Sequence, residues 1–447
     1  MNVTKTCNEF EAKTKKAESD RQSELKAFDD SKAGVKGLVD AGIKKIPSFF
    51  VDENDKPISS DDDGNNNNNS RFSFPIIDVK GVNDVASRSE IIGKVKTASE
   101  EWGFFQIINH EMPVSVMNEM IERVREFNEQ DADVKKKYYT RDPSRRFQFK
   151  SNFNLYTAPA AAWRDSVTCV MAPNPPDPQE FPDVLGYVDI TFEYSKYVMK
   201  VGHTVYELLS EALGLNPSYL KDIGCAETML LASHYHPPCP EPELTFGNRT
   251  HVDIGLLTIL LQDQTGGFQV LHQNDWVNVP PLVGGLVINV GEFLITNDKF
   301  KGVLHRALVF KEVPRISVAA FLKPHSKDIG DNARVYGPIK GLITEEEPPL
   351  YRDTTYKEYE TFYLSKSGDG KPKLPYFREQ TNLVVQPNIH KLPPALRMGS
   401  QNPSRVVKPP LEQTTPYGRA ELPKRPIDKP SSTEESSVKY PFIGYSP

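Results

Sequence analysis

The sequence predicts a mainly β fold with flanking helices, its core an antiparallel barrel or double-sheet jelly roll. Three observations lead there. From about Leu230 the chain breaks into short β-like runs: LLASHYH, GLLTILLQD, GFQVLHQNDWVNV, GLVINVGEFLITN, GVLHRALVF and RISVAAFL. Gly, Pro, Asn and Asp separate these runs, as in closed or double-sheet antiparallel architectures. Upstream of Leu230, apolar residues recur mostly at helical spacing instead.

The elements follow in order. Residues 1 to about 50 are partly helical, with AFDDSKAGVKGLVDAGIKKIPSFF as the ordered piece and Pro47 as its stop. SSDDDGNNNNNSR has nothing to bury and reads as a flexible loop, closing a first segment at 1–70. FPIIDV is a short strand. SRSEIIGKVKTASEEWG is a helix, with Ser87 as its cap, Glu90 as the capping-box partner and Gly103 near its end. FFQIINH is a second strand, and VSVMNEMIERVREFNEQDADVKKKYY gives one or two helices, within a region 71–190. A long helical pattern, YVDITFEYSKYVMKVGHTVYELLSEALGL, ends near Gly214 and leads into the β-rich region, 191–378. There GGF at 266–268 and ND at 274–275 suit hairpin turns. EEEPPLYRDTTYKEYETFYLSKS closes the region as a helix. The segment 379–447 holds 12 of the 37 prolines with little apolar periodicity, which predicts an extended or disordered tail.

Composition narrows the function classes. The 447 residues suffice for a large core. A net charge of -6 without a basic stripe argues against nucleic acid as a partner. Cys7, Cys169, Cys225 and Cys239 show no CxxC spacing, which fits a reducing compartment better than a disulfide framework or structural zinc. The first 20 residues lack the apolar stretch of a secretory signal, and no run approaches the ~20 apolar residues of a membrane span. A cytoplasmic protein with no membrane partner is expected.

The chemistry-bearing stretch is THVDIGLLTILLQD, residues 250–263. His251 and Asp253 occupy alternate positions of a β-rich run and so project from one face. A third ligand is available in His305, separated from Asp253 by 51 residues, in a later β run. Two histidines and a carboxylate on one face leave three octahedral positions open, as a non-haem Fe(II) oxygenase requires, and the same donors also suit zinc. Ten residues after His305 come Arg315 and Ser317, again two apart. A guanidinium beside a hydroxyl is a fork for a carboxylate. A metal with a carboxylate clamp beyond it fits a keto-diacid that chelates at one end and is held by Arg315 at the other.

With FPIIDV, EEWGFFQIINHEMP, YHPPCPEPELT, GGFQVLHQNDWVNVPP, VINVGEFLITNDKFKGVLHRA and RISVAAFL, these residues make the chain resemble a known family over about residues 30–378. The family is the plant Fe(II)/2-oxoglutarate-dependent dioxygenases of the isopenicillin N synthase-like superfamily, and within it the 1-aminocyclopropane-1-carboxylate oxidase homologues. The resemblance implies a double-stranded β-helix core with Fe(II) on His251, Asp253 and His305. It implies Arg315 and Ser317 on the distal carboxylate of 2-oxoglutarate, and O2 as co-reactant. The organic substrate is then a small plant metabolite, oxidised most simply by hydroxylation, and the protein is a monomer. One departure stands out. Where relatives carry a tyrosine before the Pro-Pro-Cys run, this chain reads His234-Tyr235-His236-Pro237-Pro238-Cys239. His236 therefore takes a cosubstrate-binding place beside His234, and weaker or pH-dependent 2-oxoglutarate binding is expected.

The resemblance also places SNFNLYTAPAAAWRD near the pocket mouth, with Phe153, Tyr156 and Trp163 as candidate substrate aromatics. Two other readings compete. A true 1-aminocyclopropane-1-carboxylate oxidase would use ascorbate and carry a basic C-terminal helix. The run after Arg315, FLKPHSKDIGDNARVYGPIKGLITEEEPP, is loop-like and slightly acidic instead. A non-catalytic small-molecule binder is favoured only by His236.

Overall fold

The structure, a computed structural model, describes residues 18–57, 72–184, 186–325, 333–366 and 370–379. The chain divides into two compact units, Met1–Thr381 and Asn382–Pro447. The second unit and the Asn/Asp-rich run expected to be flexible lie outside the described residues.

Two helices open the chain, α1 (18–31) and α2 (Gly34–Asp40). There follow β1 (Ile76–Asp78), α3 (Val85–Glu101), β2 (Phe104–Ile108), α4 (Val114–Glu129), the short α5 (Ala132–Lys135), β3 (Phe147–Ser151), β4 (Asp165–Ala172), α6 (Tyr187–Ala212) and α7 (Tyr219–Asp222). The β-rich region supplies β5 (Thr228–His236), β6 (Asn248–His251), β7 (Leu257–Gln262), β8 (Phe268–His272), β9 (Asp275–Asn278), β10 (Leu286–Val290), β11 (His305–Ala307) and β12 (Arg315–Lys323). A small pair, β13 (Val335–Tyr336) and β14 (Thr354–Thr355), precedes the closing helix α8 (Tyr356–Ser365).

The main strands form two sheets. One runs β1-β2-β10-β7-β12-β5-β4-β3, the other β6-β11-β8-β9. Among the described residues this is the jelly-roll arrangement expected, with helices on the outer face of the larger sheet. The strands explain themselves by alternation. On β7, Ile259 and Leu261 join the core beneath the helices, while Leu260 joins the core between the sheets with Phe104, Phe268 and Val270. Both faces are covered, so the strand reads as a continuous apolar run. Helix α6 lies close to the sheet because residue 202 is glycine; a Cβ there would run into Leu322 of β12. A third core, outside the sheets, gathers Phe28, Phe49 and Phe50 of the N-terminal segment around Trp163.

Three local expectations need correction. Helix α3 starts at Val85, two residues before Ser87. Its cap is Asp84, whose carboxylate accepts from the backbone N–H of Ser87 at 3.1 Å, while Glu90 pairs with Lys94. The apolar pattern misplaced the start because Val85, the first residue of the helix, faces solvent. Gly266 and Gly267 do not close a hairpin. Both have positive φ, and they carry the chain from β7 in the large sheet to β8 in the small one. The β8–β9 hairpin is real, but its turn centres on Gln273 and Asn274, both at positive φ, with His272 opposite Asp275. No described helix is long and apolar enough to cross a membrane.

Candidate metal centre

Register assembles the site. In the small sheet β6 pairs with β11 so that His251 lies directly opposite His305. Their rings are 4.1 Å apart. Strand β6 ends at His251, so Asp253 sits just beyond it, on the segment that Ile254 ties to Glu292. Its Oδ1 lies 3.3 Å from Nε2 of His251 and 3.4 Å from Nε2 of His305. One ligand atom from each of the three lies within 4.8 Å of the others.

The surroundings fit a cation. His251 Nδ1 donates to the Arg249 carbonyl at 2.8 Å, and His305 Nδ1 to the Val303 carbonyl at 3.0 Å. Both rings thereby present Nε2 lone pairs toward Asp253, the tautomer a metal needs. Asn289 Nδ2 donates to Asp253 Oδ2 at 2.6 Å and leaves Oδ1 facing the imidazoles. Burial works against the charge on Asp253, yet the two imidazoles hold its carboxyl well below the ordinary range. Burial, then the neighbouring His305, pulls His251 down. An ionised Asp253 and a His251 pulled toward its neutral form suit a set of ligands for a cation.

The inner chamber lies between the sheets. From the large sheet it is lined by alternate residues: His234 and His236 of β5, Thr258 and Leu260 of β7, Arg315 and Ser317 of β12. The β5–β12 register sets Arg315 opposite His236 and Ser317 opposite His234. Arg315 is almost wholly buried. It donates to the Gly266 carbonyl at 2.7 Å, to Ser317 Oγ at 3.1 Å and to Gln262 Oε1 at 3.2 Å, all neutral acceptors. The Gln262 amide nitrogen itself finds no acceptor among the described residues. Burial pulls Arg315 down to about 10, which leaves it charged at neutral pH. A buried guanidinium held only by neutral groups is a receptor for an anion.

His236 is buried beside this cation, its Nδ1 3.4 Å from the Trp163 carbonyl. Residue 247 is glycine where a Cβ would come 2.5 Å from that nitrogen, which makes room for the ring. His234 shares a hydrogen bond of 2.9 Å with Ser166 Oγ. Burial holds both imidazoles far below their ordinary range; for His234 the nearby Arg164 adds to it, and for His236 Arg315 does.

The candidate substrate aromatics divide. Phe153 is half exposed and lines an outer chamber that shares His251 and Asn248 with the inner one. Trp163 faces no chamber. It is fully buried, edge-on to Phe50 at 5.0 Å, and its Nε1 donates to the Pro237 carbonyl. Tyr156 lies away from both chambers too, its hydroxyl on Asp29 and its ring against Arg141. Core burial outweighed the place of Trp163 near the mouth, while Tyr156, still exposed, is drawn off by its hydrogen bond to Asp29. Two residues of consequence escaped the sequence reading. Asn289 was signalled by a lone amide inside the apolar run VINV. Arg164 was signalled by a charge between Trp163 and a strand.

Fold and centre together define a non-haem iron oxygenase, and similarity narrows the class. Residues 227–324 match the model of the 2OG-Fe(II) oxygenase superfamily, and residues 74–185 that of the non-haem dioxygenase in morphine synthesis N-terminal region. The chain is 51% identical to 1-aminocyclopropane-1-carboxylate oxidase homolog 1 of Arabidopsis thaliana over 80% of its own length and 97% of that protein. It is 48% identical to deacetoxyvindoline 4-hydroxylase of Catharanthus roseus, over 81% of its length and 90% of the relative. The crystal structure of JOX2 in complex with 2OG, Fe and JA superposes with a TM-score of 0.67 at 25% identity, covering 78% of this chain and 98% of that one. The chain belongs to the 2OG-Fe(II) oxygenase superfamily. It is a dioxygenase that uses Fe(II) and 2-oxoglutarate.

Proposed function

We propose that His251, Asp253 and His305 hold the iron, and that Arg315 and Ser317 take the distal carboxylate of 2-oxoglutarate with His234 and His236 alongside. The observation that carries this reading is the buried Arg315 guanidinium, which hydrogen-bonds only to neutral acceptors although Asp263 lies near, set in the chamber that the triad closes. When bound, the iron supplies the redox chemistry by which one oxygen atom of O2 enters succinate and the other the substrate, with release of CO2. The protein's part is placement. The carbonyls of Arg249 and Val303 fix the imidazole planes, Asn289 fixes the carboxylate, and Arg315 aligns the cosubstrate. The apolar walls at Phe104, Leu260 and Phe268 exclude water. The substrate is a small molecule, hydroxylated at a C–H bond, and the protein acts as a cytoplasmic monomer on neither nucleic acid nor membrane.

The test needs no substrate. The full chain is loaded with Fe(II) under anaerobic conditions and titrated with 2-oxoglutarate while the visible charge-transfer band of the chelate is followed. A saturable band is expected, with the midpoint moved up about 100-fold or more in Arg315→Met, since a charge-assisted pair at a buried site is lost. His236→Tyr should bind the cosubstrate more tightly than the parent. No band in the parent chain would overturn the reading, and turnover supported by ascorbate in its place would install the oxidase alternative.

A further inference from the structure

A second buried guanidinium remains that the proposed chemistry does not use. Arg164 stands at the head of β4, between two residues that cannot move. Trp163 is locked in the aromatic core, and the Asp165 carboxylate accepts from the backbone N–H groups of Val35 and Lys36 at 2.8 Å each, capping α2. Arg164 is only 5% exposed, and among the described residues its guanidinium makes no side-chain hydrogen bond; its Nε is buried with no partner at all. Arg306, also buried, shows what a satisfied guanidinium looks like: it has Gln269, Asp55 and the face of Trp276. A charge placed out of water with no counterion is strongly unfavourable unless a ligand brings the anion.

The outer chamber tells which ligand. Arg164 lines it together with the accessible side of His251. Its charged lining is wholly cationic: Arg164, Arg249, Lys371 and Lys373, with no Asp or Glu. Arg249 is already committed to Asp52 at 2.5 Å, the Lys373 ammonium donates to the Lys371 carbonyl, and Arg164 is the buried cation of this lining whose Nε has no partner. The remaining wall is uncharged, part apolar with Phe153, Val252 and the alanines 158, 160 and 162, and part polar with Asn152, Asn154, Asn248, Thr250 and Tyr363. The chamber therefore offers one deep cation, an uncharged wall of mixed polarity and an edge of the metal centre. Since 2-oxoglutarate has Arg315 for its distal carboxylate, the anion for Arg164 comes from the other reactant.

We propose that Arg164 binds a carboxylate of the organic substrate, so that the enzyme selects carboxylic acids and presents the part remote from the carboxylate to the metal. This rests on the cosubstrate assignment made above for Arg315.

The experiment uses the full chain loaded with Fe(II) and 2-oxoglutarate without oxygen. Phenylacetate, indole-3-acetate and octanoate are each titrated calorimetrically against the corresponding primary amide. At least one acid should bind about ten-fold or more tightly than its amide, the discrimination expected of one buried charge-assisted pair. That preference should vanish in Arg164→Met and survive in part in Arg164→Lys. The 2-oxoglutarate midpoint should stay put in both variants. Without probe, Arg164→Met should melt higher than the parent, because an unpaired buried charge is gone; a purely structural arginine would lower it. Amides binding as well as acids, or a preference that persists in Arg164→Met, overturns the proposal. So does a collapse of 2-oxoglutarate binding in Arg164→Met, which would reassign Arg164 to the cosubstrate. Failure of the cosubstrate reading itself looks different: the parent chain then lacks the chelate band.

Discussion

The two chambers that meet at His251 are built in different ways. The inner one is a product of strand register. His305 opposite His251, and Arg315 opposite His236, are ladder pairs, and each residue two along adds to the same wall. The outer one is assembled from pieces far apart in sequence: the 152–164 stretch, the β6 approach, and the 370–373 strand of chain behind α8. The first places atoms with the precision of a hydrogen-bonded sheet, and the second can vary without disturbing it. Metal chemistry sits where geometry is fixed, and recognition where it is negotiable.

Breaking the inner chamber should have the largest effect. Asp253→Ala removes the one anionic donor and leaves two neutral imidazoles. The loss in Fe(II) affinity, followed by anaerobic metal titration, should exceed the roughly 10- to 100-fold expected when only an outer partner is removed, as in Asn289→Ala. The fold should survive at some cost in stability, because the imidazoles and Asn289 favour the carboxylate even in the empty protein. A variant that keeps tight Fe(II) binding would place the metal elsewhere.

Breaking the aromatic core behind the outer chamber should instead cost stability. Trp163→Ala empties a fully buried site in contact with Phe50, and about 3–5 kcal/mol of unfolding free energy should go with it. The chelate band should remain while the protein is folded, since Trp163 touches the inner chamber only through its carbonyl on His236. If the band is lost before stability, the two chambers are one cooperative unit.

The same contrast governs what could be read from the chain. Arg315 and Ser317 are legible because a strand repeats every two residues, so R-x-S is a statement about one face; the same rule picked out His251 and Asp253, although β6 ends at His251 and Asp253 reaches the site from the segment just beyond it. His305 needed only the assumption that a late strand returns beside an early one. The outer chamber has no such local signature. Arg164 becomes a candidate only when Asp52 is found spent on Arg249 and no acid is found near Arg164, facts of packing between distant segments. Trp163 and Tyr156 were misplaced for the converse reason: their neighbours in sequence lie at the mouth, but their partners, Phe50 and Asp29, come from the N-terminal segment. Likewise Asp84 won the cap of α3 over Ser87 because an exposed Val85 hid the first turn from the apolar pattern.

Asp29 offers the smallest and most discriminating probe of the outer chamber's foundations. It lies on α1 and accepts from Tyr139 Oη at 2.5 Å, Arg141 Nε at 2.7 Å and Tyr156 Oη at 2.9 Å, tying the N-terminal helix under the 152–164 stretch. Burial alone would raise its carboxyl, but these donors and the Arg141 charge win and hold it below 3.8. The sign follows: a depressed carboxyl stabilises the fold fully above its unfolded value, and that contribution fades as pH falls through the lower folded value. Asp29→Asn should therefore unfold more easily near neutral pH by about 1–2 kcal/mol, the size of hydrogen bonds to a charged group at a partly accessible site. The gap between parent and variant should hold constant above pH 5 or so and narrow below about 3.8, where the parent's carboxylate is itself being neutralised. Denaturant melts across that range measure it directly. A gap unchanged at the acid end would mean that Asp29 acts through shape rather than charge, and that the outer chamber is anchored by the aromatic core around Trp163 alone.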